Sequence, residues 1–220
     1  RAGEFHKASD AYMAARRLVA GDKIVEAGLL IKRSRLEEKL GKYPQALRWA
    51  ARARKTVEGM PGREATRQAA RANSWYALML QAEGQNADAV RWAQRAAVEA
   101  ETADDPAALG AATFVIGWVS AALGKEGWEP LIKRCLDAYE RAGDRAKRAI
   151  ILSNVGALYH GEGRWDEAMA YYERSHDECL KIGDPVGAAT ARMNVAEILA
   201  DRGDLAEAEA LFVEAQHFCR

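Results

Sequence analysis

The chain holds only three cysteines and five prolines in 220 residues. Cys135, Cys179 and Cys219 are an odd number without paired spacing, which argues against a disulfide framework and fits a reducing, cytoplasmic compartment. Nothing approaches the roughly 18 uninterrupted apolar residues of a membrane span. No charged-then-apolar leader opens the chain. Strand signals are almost missing as well: apolar residues recur at intervals of three and four, and Ala, Leu, Arg and Glu fill long stretches. With 49% hydrophobic and 29% charged residues, the composition is that of an ordinary globular protein, and an all-α fold is expected.

What is there is repetition. Residues 161–175 read GEGRWDEAMAYYERS and residues 201–215 read DRGDLAEAEALFVEA. Taking Gly163 and Gly203 as a register mark extends the series to Gly3, Gly41, Gly84, Gly124, Gly163 and Gly203, spaced by 38, 43, 40, 39 and 40 residues. Small residues follow most of these glycines in pairs seven apart: Ala8 and Ala15, Ala46 and Ala53, Ala89 and Ala96, Ala168 and Ser175, Ala208 and Ala215. Seven residues is two helical turns, so both members face one way and let a neighbouring helix approach. Seven residues before each glycine after Gly3 stands a matching small residue: Ser34, Ala77, Gly117, Gly156 or Ala196. Two positions after the glycine come Phe5, Tyr43, Asn86, Trp165 and Leu205, which are expected to plug the gap between paired helices. After Gly124 the pattern slips: KEGWEP reads as an insertion in the turn, with Pro130 tolerated in the first helical turn.

A second set of breaks, Gly21-Asp22, Asp104-Asp105-Pro106, Gly143-Asp144 and Gly183-Asp184-Pro185, ends one helix and caps the next. The period is therefore one helical hairpin, in units of about 1–20, 21–61, 62–104, 105–143, 144–183 and 184–220 within a single domain. The first unit lacks the helix that should precede Gly3, which predicts a fragment of a longer protein.

Residues 154–175, NVGALYHGEGRWDEAMAYYERS, carry Gly156, Tyr159, Gly163, Trp165, Ala168, Tyr172 and Ser175 in the order of the tetratricopeptide repeat signature, and the chain resembles that family along its whole length. The resemblance implies a right-handed α-solenoid of about eleven helices with a truncated first hairpin. The repeats run near 40 residues where the family norm is about 34. The stretch GDPVGAATARMNVAEILADRGDLAEAEALF is also similar to the C-terminal helical region of large bacterial class III adenylate or guanylate cyclases that carry an AAA-type ATPase, and to the sensor solenoids of LuxR-type activators. In either parent this region would be the regulatory arm.

Motifs for chemistry are missing, so neither a catalytic residue nor a cofactor is expected. ALGKEG at 122–127 lacks the upstream glycine and the Ser/Thr of a phosphate-binding loop. His176 with Cys179, and His217 with Cys219, bring no third ligand for a metal ion. Glu167 and Glu207 recur because they share a solvent-facing repeat position.

Charge is uneven along the chain although 32 Lys and Arg balance 32 Asp and Glu. Residues 32–71 hold twelve basic against four acidic side chains, whereas residues 160–215 hold five against thirteen. Arg48, Arg52, Arg54 and Lys55 could touch phosphate, but a solvated helix face explains them more simply, and no nucleic-acid partner is expected. The opposed ends allow head-to-tail or intramolecular contact, and with it oligomers.

In the tetratricopeptide family, groove residues lie three before, and one and four after, the small residue of each first helix. Carried over, these are Ile31, Arg35 and Glu38; Ser74, Leu78 and Gln81; Phe114, Trp118 and Ala121; Ser153, Ala157 and His160; Met193, Glu197 and Ala200. The resemblance implies a concave groove for a protein or peptide, anchored by Phe114 and Trp118, unless these two pack against a neighbouring domain or the next helix. The function expected is a non-catalytic scaffold or sensor arm. The alternative is a peptide- or small-ligand-sensing domain whose superhelix changes curvature on binding.

Overall fold

The computed structural model describes residues 2–19 and 21–218, without the side chains of residues 2–6, 8–10, 217 and 218. Eleven α-helices run through the described residues, and no strand forms among them: α1 (Ala2–Leu18), α2 (Lys23–Lys39), α3 (Tyr43–Val57), α4 (Arg63–Ala82), α5 (Asn86–Ala103), α6 (Pro106–Ala122), α7 (Glu129–Arg141), α8 (Arg145–Gly161), α9 (Trp165–Lys181), α10 (Pro185–Arg202) and α11 (Leu205–Phe218). The fold is all-α and built from antiparallel hairpins, α2 with α3 through α10 with α11. Starts and stops follow local chemistry. Asp22, Asp105, Asp144 and Asp184 each accept a hydrogen bond from a first-turn amide of the helix that follows. Gly163 ends α8 at φ 73°, where a side chain would be strained. Asp104 takes that left-handed conformation, at φ 52°, between α5 and α6, where other breaks place glycine. Three extra residues separate Gly124 from α7 relative to the other hairpins, as the slip in KEGWEP predicts.

The chain divides into two compact units, one ending at Ala138 and one beginning at Tyr139. In the first unit the core is made largely of alanine. Ala46, Ala50 and Ala53 on α3, and Ala89, Ala93 and Ala96 on α5, are fully buried. Alanine costs little side-chain entropy and lets helix axes approach, so contact area comes from backbone and Cβ atoms more than from long side chains. Ser34 joins successive hairpins: its Oγ donates to the Ala46 carbonyl at 2.6 Å and accepts from Trp75 Nε1 at 2.7 Å. Three arginines one turn apart on α4 clasp the next joint. Arg63 and Arg67 donate to the Ala103 carbonyl, and Arg71 donates to the buried Asp105 carboxylate that caps α6. Where α7 departs from the small-residue pattern, the partner helix compensates: a Cβ at Gly117 would stand 3.0 Å from Ile132 Cδ1.

In the second unit the same logic holds with other residues. Gly156 faces the Tyr172 ring, Ser175 Oγ donates to the Ala149 carbonyl at 2.9 Å, and Ala196 and Ala208 are buried. Glu178 is buried on α9 beside Arg145 at 3.2 Å and Lys181 at 3.1 Å.

One expectation fails. The residues two after the turn glycines do not plug the hairpins: Tyr43 is 39% and Leu205 66% exposed, while Trp165 is half-buried under the Arg202 guanidinium. Small side chains such as Ser34 and Ala46 already bring the helices into contact, so no gap remains to fill. Phe5 and Ala8 lie outside the described side chains.

Candidate functional site

The five groove sets fall on α2, α4 and α6 in the first unit and on α8 and α10 in the second. In the first unit Arg35 is exposed and its guanidinium lies 5.0 Å from the centre of the buried Trp75 ring, a cation–π contact that fixes the charge at the surface. Glu38 and Gln81 are half-buried, and Leu78 packs partly against the core. Ile31 and Ser74 are buried, the latter bonded to the Arg71 carbonyl at 3.2 Å, so neither offers surface to a partner. Phe114 is also buried, but it supports Trp118: the rings are 5.6 Å apart and tilted by 40°, and Trp118 remains half-exposed. Phe114 therefore lies in the core and Trp118 at the surface.

In the second unit Ser153 borders a cleft of about 240 Å³ walled by α8, α9 and the start of α10. Ile150 and Ile182, 51% and 39% exposed, form its apolar rim, and Asn154 and Thr190 add polar groups. These four escaped the repeat positions. The run Ala149-Ile150-Ile151-Leu152 is a signal for Ile150 alone, because consecutive apolar residues wrap a helix and cannot all face one core. Elsewhere His160 Nε2 lies 3.5 Å from Asp201 Oδ2, and Met193, Glu197 and Ala157 are exposed.

The two described thiols are held in their protonated form. Burial, followed by the Asp184 charge, pushes the Cys179 thiol up, and burial pushes Cys135 up to about 12 despite a hydrogen bond with Thr113. His176 is buried next to Asp177, and among the described residues no three His, Cys, Asp or Glu side chains converge to hold a metal ion. Cys219 lies outside the described residues. No described helix is long and apolar enough to cross a membrane. On the basic helix α3, Arg48, Arg52 and Lys55 are exposed, whereas Arg54 turns inward, its guanidinium 4.1 Å from the Trp92 ring centre and bonded to Glu58.

The comparisons agree with this architecture. Residues 148–181 and 188–220 match the tetratricopeptide repeat family model. No curated protein matches the sequence. Among solved structures, BtubC (BKLC) from P. vanneervenii is similar at 18% identity and a TM-score of 0.76, covering 97% of this chain and 89% of that one. A Rap protein complexed with Competence and Sporulation Factor is similar at 19% identity and a TM-score of 0.73, covering 98% of this chain and 65% of that one. A STAND protein, a signal transduction ATPase with a tetratricopeptide repeat sensor from Pyrococcus horikoshii, is similar at 16% identity and a TM-score of 0.67, covering 96% of this chain and 32% of that one. Residues 148–181 and 188–220 thus match tetratricopeptide repeats, and the chain has the helical-hairpin fold of the solved structures it is similar to.

Proposed function

We propose that this chain is a non-catalytic protein-interaction module whose binding surface includes the first-helix face of α2, α4 and α6. The observation that carries the reading is the half-exposed Trp118 held on the buried Phe114 ring: a large aromatic fixed by its neighbour gives a partner much area at small entropic cost. Exposed Arg35, fixed over Trp75, and half-buried Glu38 and Gln81 add polar groups to that face, which suits an extended segment of peptide with an apolar side chain toward Trp118.

The likeness to a Rap protein complexed with Competence and Sporulation Factor, and to a Rap regulator in complex with the Phr* peptide, supports a peptide or protein as the partner. The likeness to a STAND ATPase with a tetratricopeptide repeat sensor supports the module as the regulatory arm of a multidomain signalling protein; a cyclase, ATPase or transcription regulator as the parent is the reading that the sequence resemblance offers. A second reading, a sensor of small ligands, is favoured by the cleft beside Ser153, Ile150 and Ile182. Panning a displayed library of random peptides against the chain tests the first reading. Enriched sequences should share an apolar residue, and their binding should be insensitive to Ile150→Ser in the α8 cleft. No enrichment, or loss of binding with Ile150→Ser, contradicts it.

A further inference from the structure

The exposed faces of two second helices carry charge that the chain itself does not neutralise. On α3, Arg48, Arg52 and Lys55 are exposed at intervals of four and three residues and so form one stripe along the helix. The acids nearest to them in sequence are taken: Glu37 pairs with Arg33, and Glu58 with Arg54. The stripe is left without an acidic partner among the described residues. Like charges three and four apart on a helix repel, so the stripe is a cost to the isolated chain. Arg52 is also held in place, its guanidinium 4.9 Å from the centre of the Trp49 ring, over which Arg33 lies at 4.6 Å. A guanidinium fixed in this way loses little freedom on meeting a carboxylate.

The corresponding helix of the second unit carries the opposite sign. Counted from the turn glycines, Arg48 and Arg52 correspond to Ala210 and Glu214 on α11. That helix opens on Asp204, Glu207 and Glu209, all exposed and none paired with a base among the described residues. The other acids of this stretch are engaged, Asp201 with His160 and Glu214 with Arg192. Each face also offers an apolar group: Tyr43 and Leu205 stand at the first positions of α3 and α11, 39% and 66% exposed, where neither plugs its own hairpin. We infer that the basic face of α3 in one copy of the chain docks on the acidic face of α11 in a second copy, covering Tyr43 and Leu205. Charge complementarity selects this occupant, since three unpaired cations meet three unpaired carboxylates. With 32 basic and 32 acidic residues, the copies carry no net charge to hold them apart. The two faces differ, so a pair of copies still presents one of each kind and association continues into chains unless the rotation closes a ring. Exposed ion pairs are individually weak, and a dissociation constant on the order of 100 µM is expected. The contact uses neither Trp118 nor the first-helix face and does not depend on the peptide-binding reading.

Sedimentation equilibrium of the chain at about 10–500 µM tests this. Average mass should rise with concentration at about 50 mM salt, and affinity should fall about tenfold or more at about 500 mM, because exposed charges are screened. Arg48→Glu/Arg52→Glu and Glu207→Arg/Glu209→Arg alter exposed side chains and should retain the helical content. Each should be monomeric over the same range. An equimolar mixture of the two should associate again, since each reversed face then meets its complement. A parent chain that stays monomeric overturns the inference, including one whose sedimentation coefficient alone changes with salt through contact within a single copy. Association that either variant leaves intact overturns it too, as does a mixture that stays monomeric. Binding of a short DNA duplex by the parent without self-association, lost in Arg48→Glu/Arg52→Glu, would assign the α3 face to nucleic acid instead.

Discussion

The Tyr172 ring fills the space that a side chain at residue 156 would need: a Cβ added to Gly156 would stand 2.8 Å from two ring carbons. The ring is 3% exposed and cannot swing away, so the α8–α9 crossing depends on the missing methyl. Gly156→Ala should therefore destabilise the protein by about 1–3 kcal/mol through overpacking, although alanine at a mid-helix glycine ordinarily gains about 0.5–1 kcal/mol. Gly28 supplies the control, because a Cβ there would meet only the end of the Gln68 side chain at 3.4 Å. Gly28→Ala should stabilise by about 0.5–1 kcal/mol. Urea denaturation of both variants reads the two signs, and a Gly156→Ala protein as stable as the parent contradicts the packing described.

Thiol chemistry reports on the cores of both units. Cys135 is fully buried with its pKa pushed up to about 12, and Cys179 is raised from 9.0 by burial and by the Asp184 charge. In a Cys219→Ser background, neither thiol should react with a disulfide reagent in native buffer, and both should react once denaturant is added. Rapid native labelling of either one would mean that its helix crossing opens readily.

The buried Glu178 makes stability depend on pH with a definite sign. Burial raises its pKa, but the Lys181 hydrogen bond and the charges of Arg148, Lys181 and Arg145 together outweigh burial, leaving it below the ordinary 4.5. A carboxylate with a lowered folded-state pKa contributes stability above its unfolded value and loses it as pH falls through the folded value. Glu178→Gln should thus be less stable than the parent at neutral pH, and the two should converge as pH drops below 4.5. Melting curves at several pH values check this, and a difference independent of pH would assign the effect to packing instead.

Much of this architecture was legible because it rests on backbone geometry. Ser34, Ala77, Gly117, Gly156 and Ala196 sit at the crossings where their spacing puts them, since helix period and helix separation leave few other solutions. Asp104 hid its left-handed turn behind a residue that seldom adopts one. The exposure of Tyr43 and Leu205 was misread because the need for a plug depends on how closely the axes approach, which no single position reveals. The candidate surface was legible in part. Its positions on the first helices follow from the repeat, but the burial of Ser74 and Phe114 depends on what packs over them.

The central claim, that Trp118 anchors a peptide or protein partner, is tested most directly by fluorescence anisotropy of a display-selected peptide against the parent chain and Trp118→Ala. The account predicts an affinity at least about tenfold lower for Trp118→Ala, with helical content and melting temperature unchanged, as expected for an interface anchor that is not core. Equal affinity for both proteins, or a loss of binding that tracks a loss of folding, would contradict it.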